Sequence, residues 1–368
     1  MKKTILHGAL LASLSLLSLI FTSCSEDEPK KEIDRPSVSE GFFVLNQGNF
    51  YQNIEGSLNF YNPFTDKVET NLFRNANKRS LGDTPQCAAA YGSKIYIGTY
   101  SSSTIEILDA ETFISLKQIK LNGGETGSMP RSMVTEGGKV YITMYDGYVA
   151  RLDTVTLNID AKVKVGPNPE EAVIFRNKLY VPNSDGMNQE GIYGKTASII
   201  DLPSFTVEST IEVPENPSAF VVANNRLFLL SKGNYRDIAS KIYEIDPDIV
   251  SLQKEGKEGY TPLVNATFIA ESPQYLYYMD VPFYSDTRVI GRIDLSSGSN
   301  ETWDAKEVEY PNSIAVDPNT REVIIGSYIY DGPYPSYIAP GYIVRYSDNL
   351  IYNGKNTVGS GPSFIFFR

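Results

Sequence analysis

Along this chain the apolar positions fall into short runs bounded by turn residues, and the order of those runs repeats. A unit opens on Pro or Asn with an apolar run. It passes a Lys- or Asn-led turn into a strand centred on Tyr, and it closes on an Asp beside a turn. Pro85–Asp109, Pro130–Asp153 and Pro217–Asp246 show the unit plainly, and looser copies start at Pro169, Asn265 and Pro311. The spacing is roughly 40 to 50 residues, the period of a repeat architecture.

Each unit holds short segments rich in Val, Ile, Tyr, Phe and Thr, such as residues 95–99 and 140–144. That composition predicts strands. Gly92-Ser93, Gly137-Gly138 and Asn224-Asn225 supply hairpin turns before them, and Asp109, Asp153 and Asp294 open the turns after the third strands. No stretch shows a sustained helical period. Four antiparallel strands repeated radially make an all-β propeller.

Six units open near Pro85, Pro130, Pro169, Pro217, Asn265 and Pro311. The stretch 41–72 has the later strands of a unit but no opening strand. The end of the chain, 361–367, has an opening signature and nothing after it. The expectation is therefore a seven-bladed β-propeller of four-stranded antiparallel blades, with the C-terminal strand innermost in the first blade.

The chain begins with Lys2 and Lys3, then an apolar run from Leu10 to Phe21 that is short for a membrane span. It ends in Phe21-Thr22-Ser23-Cys24, which reads as a lipobox. Residues 1–23 are expected to be a lipoprotein signal peptide, 24–40 a lipidated Cys24 and flexible tether, and 41–368 the propeller. One acylated Cys anchors a body to a membrane that it does not cross. The acidic run Ser25-Glu26-Asp27-Glu28 resembles a surface-export signal of Bacteroidetes lipoproteins, which implies an outer-membrane, cell-surface location.

Signal cleavage narrows the chemistry. The single His of the sequence, His7, lies within the signal, and lipidation of Cys24 leaves Cys87 as the remaining thiol. Ser-His-Asp and Cys-His catalysis are excluded, as are zinc sites built on His or several Cys. Cys87 opens the run Cys87-Ala88-Ala89-Ala90 and reads as buried filler. Loss of Lys2 and Lys3 takes the formal charge from −11 to −13. No basic stripe offsets it, which excludes nucleic acid as a partner.

In a propeller the start of each inner strand and the loop between second and third strands reach the same face. The opening positions are Gln86, Arg131, Glu170, Ser218, Asn265, Asn312 and Ser363, all polar. Every mid-repeat loop carries an aromatic residue beside Asn, Ser, Gly or Asp, the mixture that binding loops use. The candidate ligand contacts are Asn46, Gln47, Asn49 and Tyr51 in the first loop, then Tyr100, Tyr145 and Asn183. Lys232, Tyr235, Phe283, Tyr328 and Tyr330 follow in the later loops, with Gln86, Arg131 and Asn312 from the openings. The plainer reading is that Tyr is common in strands. It accounts for Tyr141, Tyr180, Tyr243 and Tyr277 but not for the loop tyrosines.

The phrase Phe43-Val44-Leu45-Asn46-Gln47-Gly48-Asn49, followed by Gly56-Ser57-Leu58 and Leu81-Gly82-Asp83-Thr84-Pro85-Gln86, resembles surface lipoproteins of gut Bacteroidetes among the YncE/YVTN-like propellers. Within these the chain is most similar to the BtuG type. That resemblance implies capture of cobalamin or a related corrinoid and its transfer to a TonB-dependent outer-membrane transporter. It implies a binding protein with no catalytic cofactor or metal, not an enzyme. Two alternatives stand beside it: a module for a glycan, protein or other small molecule, and a Ca²⁺-dependent lactonase-like hydrolase. The hydrolase would need Glu170, Asn265 and Asn312 to converge.

Overall fold

The computed structural model describes residues 40–188, 190–282, 285 and 287–368. Cys24 and Phe283 lie outside the described residues.

Seven four-stranded antiparallel sheets carry the chain. In blade two the inner strand Pro85–Tyr91 leads outward through Lys94–Thr99 and Thr104–Asp109 to Ser115–Lys120. Blades three to six repeat that order from inner strands Pro130–Glu136, Val173–Phe175, Pro217–Ala223 and Phe268–Glu271. Blade seven runs Tyr310–Val316, Val323–Tyr328, Tyr342–Tyr346 and Tyr352–Thr357. A small hairpin of Tyr330–Asp331 with Tyr334–Pro335 sits between its second and third strands. Blade one is composite. Phe42–Asn46, Ser57–Asn62 and Lys67–Glu69 form its outer part, and Pro362–Phe366 pairs innermost, with Phe43 opposite Phe366 and Val44 opposite Ile365. The seven-bladed, all-β ring closed by the C-terminal strand is the fold.

Burial explains why the repeat reads as it does. Second strands lie between neighbouring blades on both faces, so Lys94–Thr99, Lys139–Met144 and Arg226–Ser231 are buried at every position after the first. Outer strands meet solvent on one side, so Ser115–Lys120 and Thr206–Glu212 largely alternate. Among the described residues, an apolar cluster fills each blade-to-blade interface. Cys87 is in one of them, fully buried, and burial pushes its thiol up to about 12. It is core filler.

The turns follow their residues. Gly137 and Gly138, Asn224 and Asn225, and Arg176 and Asn177 each pair two positive φ angles, as two-residue hairpins require. Asp109 Oδ1 accepts from the backbone N–H of Glu111 and Thr112 at 3.2 and 2.9 Å, and Asp153 and Asp294 do the same in their turns.

Two expectations change. Asn265 does not open blade six. It ends the outer strand Tyr260–Asn265 of blade five, opposite Lys241, and the next inner strand is Phe268–Glu271. No Pro marks this opening, so the apolar pattern alone set the boundary too early. Among the described residues there are also two α-helices, Leu72–Asn77 and Ile249–Lys254. At six residues each they are too short to print a period, and both lie in connections between strands.

Candidate functional site

On one face of the ring the inner strands begin and the second-to-third loops return. There the strand register slips immediately after the opening Pro. In blades two, three, five, seven and one, Gln86, Arg131, Ser218, Asn312 and Ser363 are the extra residues. Blade four does the same at Glu170: Pro169 pairs with Asn183 and Val173 with Tyr180, and Glu170 N donates to Pro182 O at 2.9 Å. Such a bulge takes a side chain out of the pleat's alternation and re-aims it.

Three of these side chains stitch the ring. Gln86 Nε2 donates to the Pro130 carbonyl at 3.2 Å, Asn312 Nδ2 to that of Pro362 at 3.3 Å, and Ser363 Oγ to that of Pro85 at 3.2 Å. Each reaches the opening proline of the next blade. The polarity of these positions therefore serves ring closure first.

Arg131 and Glu170 form an ion pair instead. Arg131 Nε donates to Glu170 Oε2 at 2.6 Å, and Ser184 Oγ donates to Glu170 Oε1 at 3.0 Å. Glu171 lies 4.0 Å from the guanidinium, which also sits over the Tyr145 ring at 5.8 Å. Burial works against the Arg131 charge, and Glu170, Tyr145 and Glu171 offset it and hold the group protonated. Lys232 donates to the Thr267 carbonyl and lies 4.8 Å from the Phe268 ring centroid. Burial lowers it to about 8, against the pull of Glu171.

Glu271 ends the inner strand of blade six. Its side chain meets solvent, yet the inner strands enclose it, so its charge is poorly hydrated and the carboxyl rises to about 7, with the Glu171 charge adding to the shift. This sets a pH dependence. The folded protein holds this proton more tightly than the unfolded chain does, so the stability it contributes is complete near the ordinary carboxylate pKa and falls as pH rises toward 7. Melting temperatures of Glu271→Gln and the parent, measured from pH 5 to pH 8, should converge at the acid end and separate in favour of the variant at the other. Parallel curves would remove Glu271 as the cause.

Aromatic side chains stand above this charged centre in two groups. Tyr100 and Tyr145 meet edge to face at 5.4 Å, and Tyr193 and Tyr235 at 5.6 Å. Across the ring Tyr328 contacts Tyr337 at 5.1 Å and Tyr310 at 6.1 Å, and Tyr310 reaches Tyr330 at 6.2 Å. Arg288 donates to the Tyr330 hydroxyl at 2.6 Å, Gln47 donates to that of Tyr328, and Asn49 Nδ2 donates to the Tyr337 carbonyl at 3.2 Å. Tyr51 is 89% exposed, beside Phe50. Such rings offer broad apolar surface with hydrogen-bonding tips.

Not every candidate reaches this surface. Asn46 and Asn183 are sealed inside their blades, the first donating to Ser57 Oγ at 3.1 Å, the second to Thr196 Oγ1 and Ser198 Oγ at 3.2 and 3.1 Å. Tyr328 is also buried, its hydroxyl pushed up to about 12. The convergence of Glu170, Asn265 and Asn312 does not occur, since Asn265 lies on an outer strand. Tyr193, Tyr310, Tyr337 and Arg288 join the face as well, whereas Glu271 sits at the far end of its inner strand, next to the hairpin to Tyr275–Asp280. Only the loop membership of Tyr193 and Tyr337 was legible; Tyr310 and Arg288 sit at strand starts that pairing brings to the face.

Solved structures share this fold at low identity. Hydrazine synthase of Kuenenia stuttgartiensis is 14% identical with a TM-score of 0.57, the match covering 76% of this chain and 88% of that one. The dihydro-heme d1 dehydrogenase NirN is 11% identical with a TM-score of 0.54, covering 92% and 77%. U3-55K is 12% identical with a TM-score of 0.54, covering 76% and 83%. No curated protein sequence matches significantly. The family model described as "Domain of unknown function (DUF5074)" matches residues 40–332, and the chain belongs to that family.

Proposed function

We propose that the loop face binds a broad, flat, amide-bearing small molecule, a corrinoid such as cobalamin, and that the protein carries it rather than transforms it. The observation behind this reading is the tyrosine-rich ring above a polar, charged centre on a rigid scaffold. A macrocycle has a face to lie against aromatic surface and a rim of amides to pair with Asn, Gln and Tyr. In this reading the protein is anchored through Cys24 at the outer surface of the outer membrane, and it passes its ligand to a TonB-dependent transporter. No catalytic cofactor enters. Recognition is of the ligand's periphery, since a mature chain without His offers no imidazole to the cobalt.

The test is direct. Purified protein mixed with cyanocobalamin should co-elute with red colour on gel filtration and give a calorimetric isotherm. Tyr51→Ala, which removes an exposed ring and leaves the fold intact, should weaken that isotherm about tenfold or more, as loss of an aromatic anchor does. If neither colour nor heat appears, the corrinoid reading fails.

A further inference from the structure

A second, smaller site lies outside the axial face. A cavity of about 320 Å³ opens between residues 53–58 of blade one and the connection that carries the helix Leu72–Asn77 toward blade two. That volume is at the low end of small-molecule pockets and too small for a macrocycle. Its apolar floor is Leu58, Phe73 and Leu81, all buried. Its wall is polar: Asn53, Asn71 and the ion pair in which Arg74 NH1 meets Glu55 Oε2 at 2.6 Å.

The polar groups are available. Among the described residues no hydrogen bond involves the side-chain amide of Asn53 or Asn71. The Asn71 backbone at the cavity edge is fixed by its N–H donating to Asn59 Oδ1 at 3.1 Å.

We infer that this cavity binds a single neutral sugar ring. The Glu55 and Arg74 charges cancel, so the wall has no preference for a net ionic ligand. It presents a strong acceptor beside a strong donor, flanked by two amides that can do either. Adjacent hydroxyls of a monosaccharide donate to the carboxylate and accept from the guanidinium and amides. The inference does not rest on the corrinoid reading.

Saturation-transfer NMR and calorimetry on the intact protein would use D-glucose, D-galactose, D-mannose, L-fucose and N-acetylglucosamine at millimolar concentration. At least one should bind. Glu55→Gln and Arg74→Ala, both at exposed positions, should each weaken it about tenfold, the size of a lost charge-assisted hydrogen bond. Melting curves matching the parent would show that both variants fold, and either variant alone suffices for the comparison. Saturating cyanocobalamin should leave the sugar signal unchanged. No signal from any sugar, an undiminished signal in a folded variant, or displacement by cyanocobalamin would each overturn the inference.

Discussion

Removing Pro362–Arg368 should yield a chain that does not fold. The C-terminal strand serves two interfaces at once: Phe364 and Phe366 pack into the cluster between blades one and two, and Ile365 into that between blades seven and one. Burying side chains of this kind stabilises by about 1.5–3 kcal/mol each. Ile365 and Phe366 in full and Phe364 in part together approach the lower end of the roughly 5–15 kcal/mol net stability typical of a native protein. The truncation would also uncover Phe43, Leu45 and Val44, which the strand covers in the closed ring, and leave the strand Phe42–Asn46 as an open edge. Circular dichroism with urea titration is the measurement. A soluble truncation with a cooperative transition and the parent's m-value would show that closure is dispensable.

Arg131→Ala is expected to destabilise the folded protein by about 3–5 kcal/mol, the range for breaking a buried ion pair from one side. The cost arises from what remains. Glu170 would keep its hydrogen bond from Ser184 but lose its cation, with Glu171 close by as a second carboxylate. Burial already raises Glu171, and Arg131 opposes that more strongly than Lys232 does. Adding Glu170→Gln to Arg131→Ala removes the stranded charge, so the double variant should regain most of the loss. Denaturant midpoints of the four proteins in the cycle measure the coupling. If the double variant is as unstable as the sum of the singles, the pair is not a unit.

Much of the fold was legible because its cause is local and repeated. Two-sided burial of second strands forces continuous apolar runs such as residues 95–97, and one-sided burial of outer strands forces alternation. The missing opening strand of blade one was legible for the same reason: an unpaired pattern at one end matched a gap at the other. Legibility failed where a marker was absent. Blade six opens without a Pro, and the apolar pattern points to Asn265, which closes the strand before.

The face was legible as a set of loops, but its side chains were not. Asn46 and Asn183 lie at the loop edge in sequence and inside the blade in space, because each ends a second strand whose last residue still faces a neighbour. Gln86 and Asn312 reach the mouth, but each holds the next blade's opening carbonyl. A bulge decides that, and a bulge depends on pairing across strands.

The sequence by itself determined the number of blades, the order of their strands and the face on which the variable loops gather, since each follows from periodic burial and turn chemistry along the chain. Only the tertiary structure decided which polar residues stay available there. It set Arg131 against Glu170 and brought the loop tyrosines of neighbouring blades, Tyr100 with Tyr145 and Tyr193 with Tyr235, within contact of one another. Those partners are separated along the chain, and no local pattern encodes a distance that arises when the ring closes.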